Sequence, residues 1–201
     1  IDVLEELLRK IRPYELQPGS ADRASEQAMD EVINGIRQSG IRGAKSGFKK
    51  AIRIMKEIPY DRSEPRPQVL IVGEYLLNFH PGANHDIEEY LEKNGFEIIE
   101  ARMTDVIQKT YFYQDSQIRD YHLNRPLGKK IWFRTADQFF QMAHDLTDRI
   151  ASEHPLYEKP ARIEDLAKES DPIIPHTFDA GEGILIPGEI LHHAEKGCRT
   201  F

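Results

Sequence analysis

"QVLIVGEYLLNFHPGANHDIEEYLEKNGFEIIEA", Gln68 to Ala101, is the stretch whose reading decides the fold. It opens with four consecutive apolar residues, Val69 to Val72, ended by Gly73, the form of a strand buried on both faces. An amphipathic helical pattern follows over Asn84–Gly95, with Ile87, Tyr90 and Leu91 inward and Asn94-Gly95 as its stop. Phe96 to Ala101 then reads as a second strand. Strand, glycine turn, helix and strand make a βαβ unit, which predicts a parallel sheet with a right-handed crossover. The expected fold class is α/β, a parallel, Rossmann-like three-layer sheet of three or more strands with Val69 to Val72 central, plus an N-terminal helical segment.

Upstream, "PYDRSEPRPQ" (Pro59 to Gln68) has three prolines and alternating charges, which forbid a long regular element and mark a boundary. Residues 1–60 are expected to form the helical segment and residues 66–201 the α/β domain, truncated at its C-terminus. The segment reads as three helices: one through Ile11, one opened by Ser20-Ala21-Asp22 and running to about Ser39, and one from about Ala44 to Ile58. Gly40 and Gly43 break the middle. Downstream, Val106 to Tyr121 has no decisive period, whereas "IWFRTADQFFQMAHDLTDRIASE" carries a thick apolar helical stripe. "ARIEDLAKES" is a shorter helix, and a final one runs from Ile184 to Ala194 before Cys198 to Phe201 begin a strand. With "IDVLEELLRKI" already helical at the first residue, the chain reads as an excised piece of a larger protein.

The 201 residues are 39% apolar and 30% charged, typical of soluble globular chains, and no run approaches the ~18 apolar residues of a membrane span. A formal net charge of -7 gives no global field for a polyanion, so neither nucleic acid nor a membrane is expected as partner. Basic residues do concentrate in "SGIRGAKSGFKKAIRIMK" (Ser39 to Lys56), read first as a solvated helix face and second as a docking surface for an acidic partner. One cysteine permits neither an internal disulfide nor an all-cysteine metal site, and a reducing cytoplasm fits.

Sites in parallel sheets lie at the carboxyl ends of the strands. That places the candidates in the loop after the first strand, Glu74, Asn78, His80 and Asn84, and at the start of the final helix, Gly181, Glu182 and Gly183. The expectation is one shared cleft, with His80 and Glu182 as leading polar contributors and helix N-termini suited to a phosphate or carboxylate. The plainer reading is that His80 and Asn84 cap a helix while the glycines permit close packing. On the final helix Glu189 shares a face with His192 and His193, but paired-carboxylate metal sites need such a motif from two helices, so no metal site is expected. No dinucleotide fingerprint, phosphate loop, nucleophile elbow or zinc-protease motif occurs, and the catalytic residues are unknown.

"RPYELQPGSADR", "VLIVGEYLLNFHPGANHDIEEYLEKNGFEII", "NRPLG" and "GEGILIPGEILHHAEKGC" together resemble the 2-hydroxyacyl-CoA dehydratase and activase group. The likeness is to the dehydratase-subunit-like, C-terminal part of CoA-substrate-specific enzyme activases, the activators of (R)-2-hydroxyglutaryl-CoA dehydratase, and runs from Arg12 to the end. It implies a parent protein of anaerobic metabolism that takes part in electron transfer to a radical dehydration of 2-hydroxyacyl-CoA, with a [4Fe-4S] cluster in the full-length parent. The cysteines that hold such a cluster are expected beyond the stretch matching Gly181 to Phe201, and Cys198 matches no ligand position. Nothing resembles the phosphate loops of the activator's ATPase fold, so the isolated chain is expected to have no cluster, ATPase or dehydratase activity of its own. Expected partners are other domains of the parent chain and a dehydratase or activator component. The alternative is a non-catalytic α/β binding module for a phosphorylated or CoA-like ligand or a redox partner.

Overall fold

A computed structural model describes residues 1–175 and 185–201. The chain is mostly helical and carries a two-stranded parallel sheet, which is compatible with the α/β class. The strands are β1 (Gln68–Ile71) and β2 (Glu97–Glu100). A three-layer sheet with three or more strands is not seen among the described residues. What accompanies the pair is one isolated parallel bridge from Val69 to Thr200, with the Leu70 N–H donating to the Thr200 carbonyl at 3.0 Å.

The helices are α1 (Asp2–Ile11), α2 (Ser20–Lys56), α3 (Tyr75–Phe79), α4 (Pro81–Asn84), α5 (Ile87–Lys93), α6 (Met103–Asp120), α7 (Leu127–Ala151), α8 (Ile163–Ser170) and α9 (Leu185–Glu195). They fall, with the strands, into two compact units. The first unit contains Ile1–Pro67, Tyr90–Ile99 and Asp145–Lys159. The second contains Gln68–Glu89, Glu100–His144 and Pro160–Phe201.

In the first unit α1 presents Val3, Leu4, Leu7 and Ile11 at helical intervals, and all four are buried against Ala28, Phe48, Ile52 and Met55 of α2 and Ile150 of α7. α2 is two helices joined at a break, where Ser39 and Gly40 leave helical geometry and Gly40 takes φ 57°. Its limbs run antiparallel, because Gly35 faces Gly43 and Gly47 faces the Glu31 carbonyl. A Cβ on Gly43 would overlap the Gly35 carbonyl oxygen, so the limbs touch backbone to backbone. Gly43 therefore lies inside the second limb as a contact residue, while the break falls at Ser39-Gly40 alone.

Charged side chains hold the Pro-rich segment in the same unit. Arg12 makes a two-pronged pair with Glu92, at 2.7 Å from Nε and 2.9 Å from Nη2, and reaches Asp22 from Nη1 at 3.1 Å. Burial works against the guanidinium charge, but the hydrogen bonds and charge of Glu92 and Asp22 outweigh it and leave the Arg12 pKa raised. Glu97, 1% exposed, accepts from the Tyr14 hydroxyl and from Arg62 through one oxygen, each at 2.7 Å.

In the second unit Phe112 and Tyr113 of α6, Ile163, Leu166 and Ala167 of α8 and Leu185 of α9 form a smaller core. α8 and α9 approach closely at Gly188, where a Cβ would overlap the Leu166 carbonyl and stand 2.8 Å from the Ser170 hydroxyl.

The glycine contacts give a prediction with an inverted sign. Alanine normally stabilises a helix interior by about 1 kcal/mol relative to glycine. Gly43→Ala should instead destabilise the protein by about 1 kcal/mol or more through overpacking. Denaturant unfolding of both proteins checks this; an unchanged or raised midpoint contradicts the close hairpin.

Candidate functional site

The second unit holds a cavity where three chain segments meet. The turn after β1 supplies Gly73, Asn78 and Phe79. The segment after β2 and the first turns of α6 supply Ala101, Arg102, Asp105, Val106 and Lys109. The start of α9 supplies Leu185, Ile186 and Glu189. The spacing of Arg102, Asp105 and Lys109 sets them on one side of α6, and that of Leu185 and Glu189 sets both on one side of α9. The volume, about 30 Å³, suits a water- or carboxylate-sized group.

The lining combines apolar residues with polar ones that are withdrawn from solvent. Asn78, Arg102 and Lys109 are buried, at 7%, 7% and 6% exposure. The Asn78 amide lies against Gly73, where a Cβ would sit 3.0 Å from its Oδ1, and has no hydrogen-bond partner among the described residues. Asp105 pairs with His144, Oδ1 to Nδ1 at 3.6 Å, and the other His144 nitrogen is 3.1 Å from the Thr104 hydroxyl.

Glu189 is half-buried. Desolvation, reinforced by the negative charge of Asp105, pushes its carboxyl up to about 8 against the opposing pull of Lys109. At neutral pH it is therefore mostly protonated and can donate a hydrogen bond. Among the described lining residues, Arg102, Asp105 and Lys109 are the charged groups, and Asn78 and protonated Glu189 are neutral donors. Such a set recognises a small anion, with helix starts adding favourable potential. Among the described lining residues there is no serine, threonine or cysteine to act as a nucleophile.

The residues expected from sequence are placed as follows. Glu74 is the N-cap of α3, its carboxylate accepting from the Leu76 N–H at 3.0 Å. His80 sits between α3 and α4, its ring over Gly82. Asn84 ends α4 and donates to the Asn78 carbonyl at 3.3 Å. None of these three lines the cavity, whereas the fourth loop candidate, Asn78, does, together with Gly73 and Phe79. Gly181, Glu182 and Gly183 lie outside the described residues, while Leu185 and Ile186 just after them face the cavity. His192 pairs with Glu169, Nδ1 to Oε1 at 3.5 Å, and Glu189 is turned to Asp105 and Lys109.

Arg102, Asp105 and Lys109 were not singled out by sequence. The available signal was position, since they follow the carboxyl end of the second strand. Among the described residues no three His, Cys, Asp or Glu side chains come together as a metal site. Cys198 is buried at 2% exposure, its Sγ 3.3 Å from the Thr200 carbonyl, and a single cysteine does not fit a [4Fe-4S] cluster, which takes four such ligands. No helix among the described residues is long and apolar enough to cross a membrane. Comparison of the chain with protein-family models, curated proteins and solved structures finds no match.

The raised carboxyl makes stability depend on pH. Between its ordinary value of 4.5 and about 8 the folded state holds a Glu189 proton that the unfolded state has released, so stability falls as pH rises through this window. Glu189→Gln should flatten that slope, the variant gaining on the parent most at pH 8. Thermal midpoints of both proteins across the window are the check; parallel profiles contradict the assignment.

Proposed function

We propose that this chain is a ligand-binding α/β module of the 2-hydroxyacyl-CoA dehydratase and activase group, and that its strand-end cavity receives the anionic group of a carboxylate- or phosphate-bearing ligand, CoA thioesters included. The observation that carries the reading is the meeting of the post-β1 turn and the α9 start on one cavity that also contains Arg102 and Lys109. Two of the blocks that resemble the group, "VLIVGEYLLNF" and "GEGILIPGEILHH", contribute to it. The parallel bridge between Val69 and Thr200 supports the finer fold proposal, a Rossmann-like three-layer sheet in which β1 is central and a third parallel strand begins at Thr200.

Within this reading the module binds and positions, and does not itself carry out redox chemistry. Arg102 and Lys109 hold the anion, Asn78 donates to it, and protonated Glu189 supplies a further donor. A cavity of about 30 Å³ admits the charged end of a ligand, so a larger body such as a CoA moiety would lie outside it. An iron-sulfur cluster and ATP-driven electron delivery would belong to other parts of a parent protein or to a partner, which this module would serve in a reducing, cytoplasmic setting.

The experiment is an NMR titration of the chain with acetate, inorganic phosphate and an acyl-CoA in parallel. The expected result is saturable shift changes at Gly73, Asn78 and Ala101 with at least one of the three ligands, abolished by Arg102→Met. Binding should weaken as pH rises through about 8, because an ionised Glu189 repels an anion. Flat titrations with all three ligands, or shifts indifferent to the Arg102 substitution, contradict the proposal.

A further inference from the structure

The second limb of the α2 hairpin, residues 41–56, carries Arg42, Lys45, Lys49, Arg53 and Lys56. Intervals of three and four residues put the five on one helical face, and fourteen steps spread them over about 21 Å. All five are exposed, and none meets a carboxylate among the described residues. Neighbouring Lys50, off this row, pairs with Glu31 of the other limb at 3.0 Å. From Val32 to Lys56 there is no Asp or Glu at all, in a chain with 34 acidic residues against 27 Lys and Arg.

Local stability does not account for this row. Like charges three and four residues apart repel, and an acidic residue within the row would relieve them. The opposite face of the limb is closed, with Gly43, Gly47, Phe48, Ala51, Ile52 and Met55 buried. The backbone contacts at Gly43 and Gly47 fix the limb, so the row is straight and preorganised before anything binds.

We propose that this row is the docking surface for an acidic helix of a protein partner. A helix with carboxylates three and four residues apart repeats its charge every ~4.5–6 Å, the spacing of the row itself. Ile41, 89% exposed at the turn end of the row, adds an apolar contact there. A nucleic acid fits less well, since the limb exposes no aromatic side chain on which a base would stack. A membrane fits less well because the row itself interposes no apolar residues for insertion.

The test measures binding of the chain to two alanine-based helical peptides of equal length by fluorescence anisotropy. One carries Glu at intervals of three and four, the other Gln at the same positions. The Glu peptide should bind, weakening as salt is raised, and the Gln peptide should not. Lys45→Glu with Lys49→Glu should lower affinity for the Glu peptide about tenfold or more, whereas Lys129→Glu, outside the hairpin, should leave it unchanged. Equal binding of the two peptides overturns the proposal, and so does indifference to the charge reversal in a variant whose circular dichroism matches the parent. Tighter binding of short duplex DNA or of phosphatidylglycerol vesicles than of the Glu peptide also overturns it, because the row would then be a reader of phosphate. The peptide comparison uses the unaltered chain and stands without any variant.

Discussion

Removing a charge from water costs several kcal/mol unless partners replace its hydration, and each of the two compact units of this chain is arranged around charges that have left water. In the first unit the withdrawn carboxylates are Glu92 and Glu97, met by Arg12, Arg62 and the Tyr14 hydroxyl. Removing one member would leave its partner buried and uncompensated, which is costlier than losing a surface pair. The network therefore reinforces the hold on the Pro-rich segment, whose backbone makes one isolated antiparallel bridge, between Tyr60 and Glu15.

In the second unit the same constraint is met differently. Arg102 and Lys109 are as buried as the Glu97 network, yet the carboxyl nearest them on α9 gives up its charge instead of completing a pair. Desolvation and the proximity of Asp105 outweigh Lys109, so proton uptake replaces ion pairing. Beside these groups the Asn78 amide makes no side-chain hydrogen bond among the described residues. Perturbed carboxyls in clefts are frequent at functional sites.

Much of the local structure was legible in the sequence, for identifiable reasons. The run Val69 to Val72 and the run at Phe96 to Ala101 are short, apolar and bounded by glycine, and they correspond to β1 and β2. The long apolar stripe of α7 and the shorter period of α8 fixed those helices. α6 was opaque because its apolar residues, among them Val106, Phe112 and Ile118, keep no strict helical interval, and the cavity cations lie within or beside it. Gly43 shows a different limit: a glycine that permits contact between helices looks, in sequence, like one that ends a helix. Glu189 shows a third, since helical spacing set it beside His192 while tertiary packing gave His192 to Glu169. The cavity borders the candidate loop at Gly73 and Asn78, while the side chains at Glu74, His80 and Asn84 are engaged in helix ends and turns.

The claim on which the functional account rests is that the cavity keeps a carboxyl protonated beside two buried cations at neutral pH. The most direct measurement is a carbon-13 NMR titration of the Glu189 side-chain carboxyl. The account predicts a midpoint at about 8, more than three pH units above an ordinary glutamate at 4.5. A midpoint near 4.5 would mean that Glu189 is ionised at neutral pH and repels an anion, and would contradict the anion-binding account.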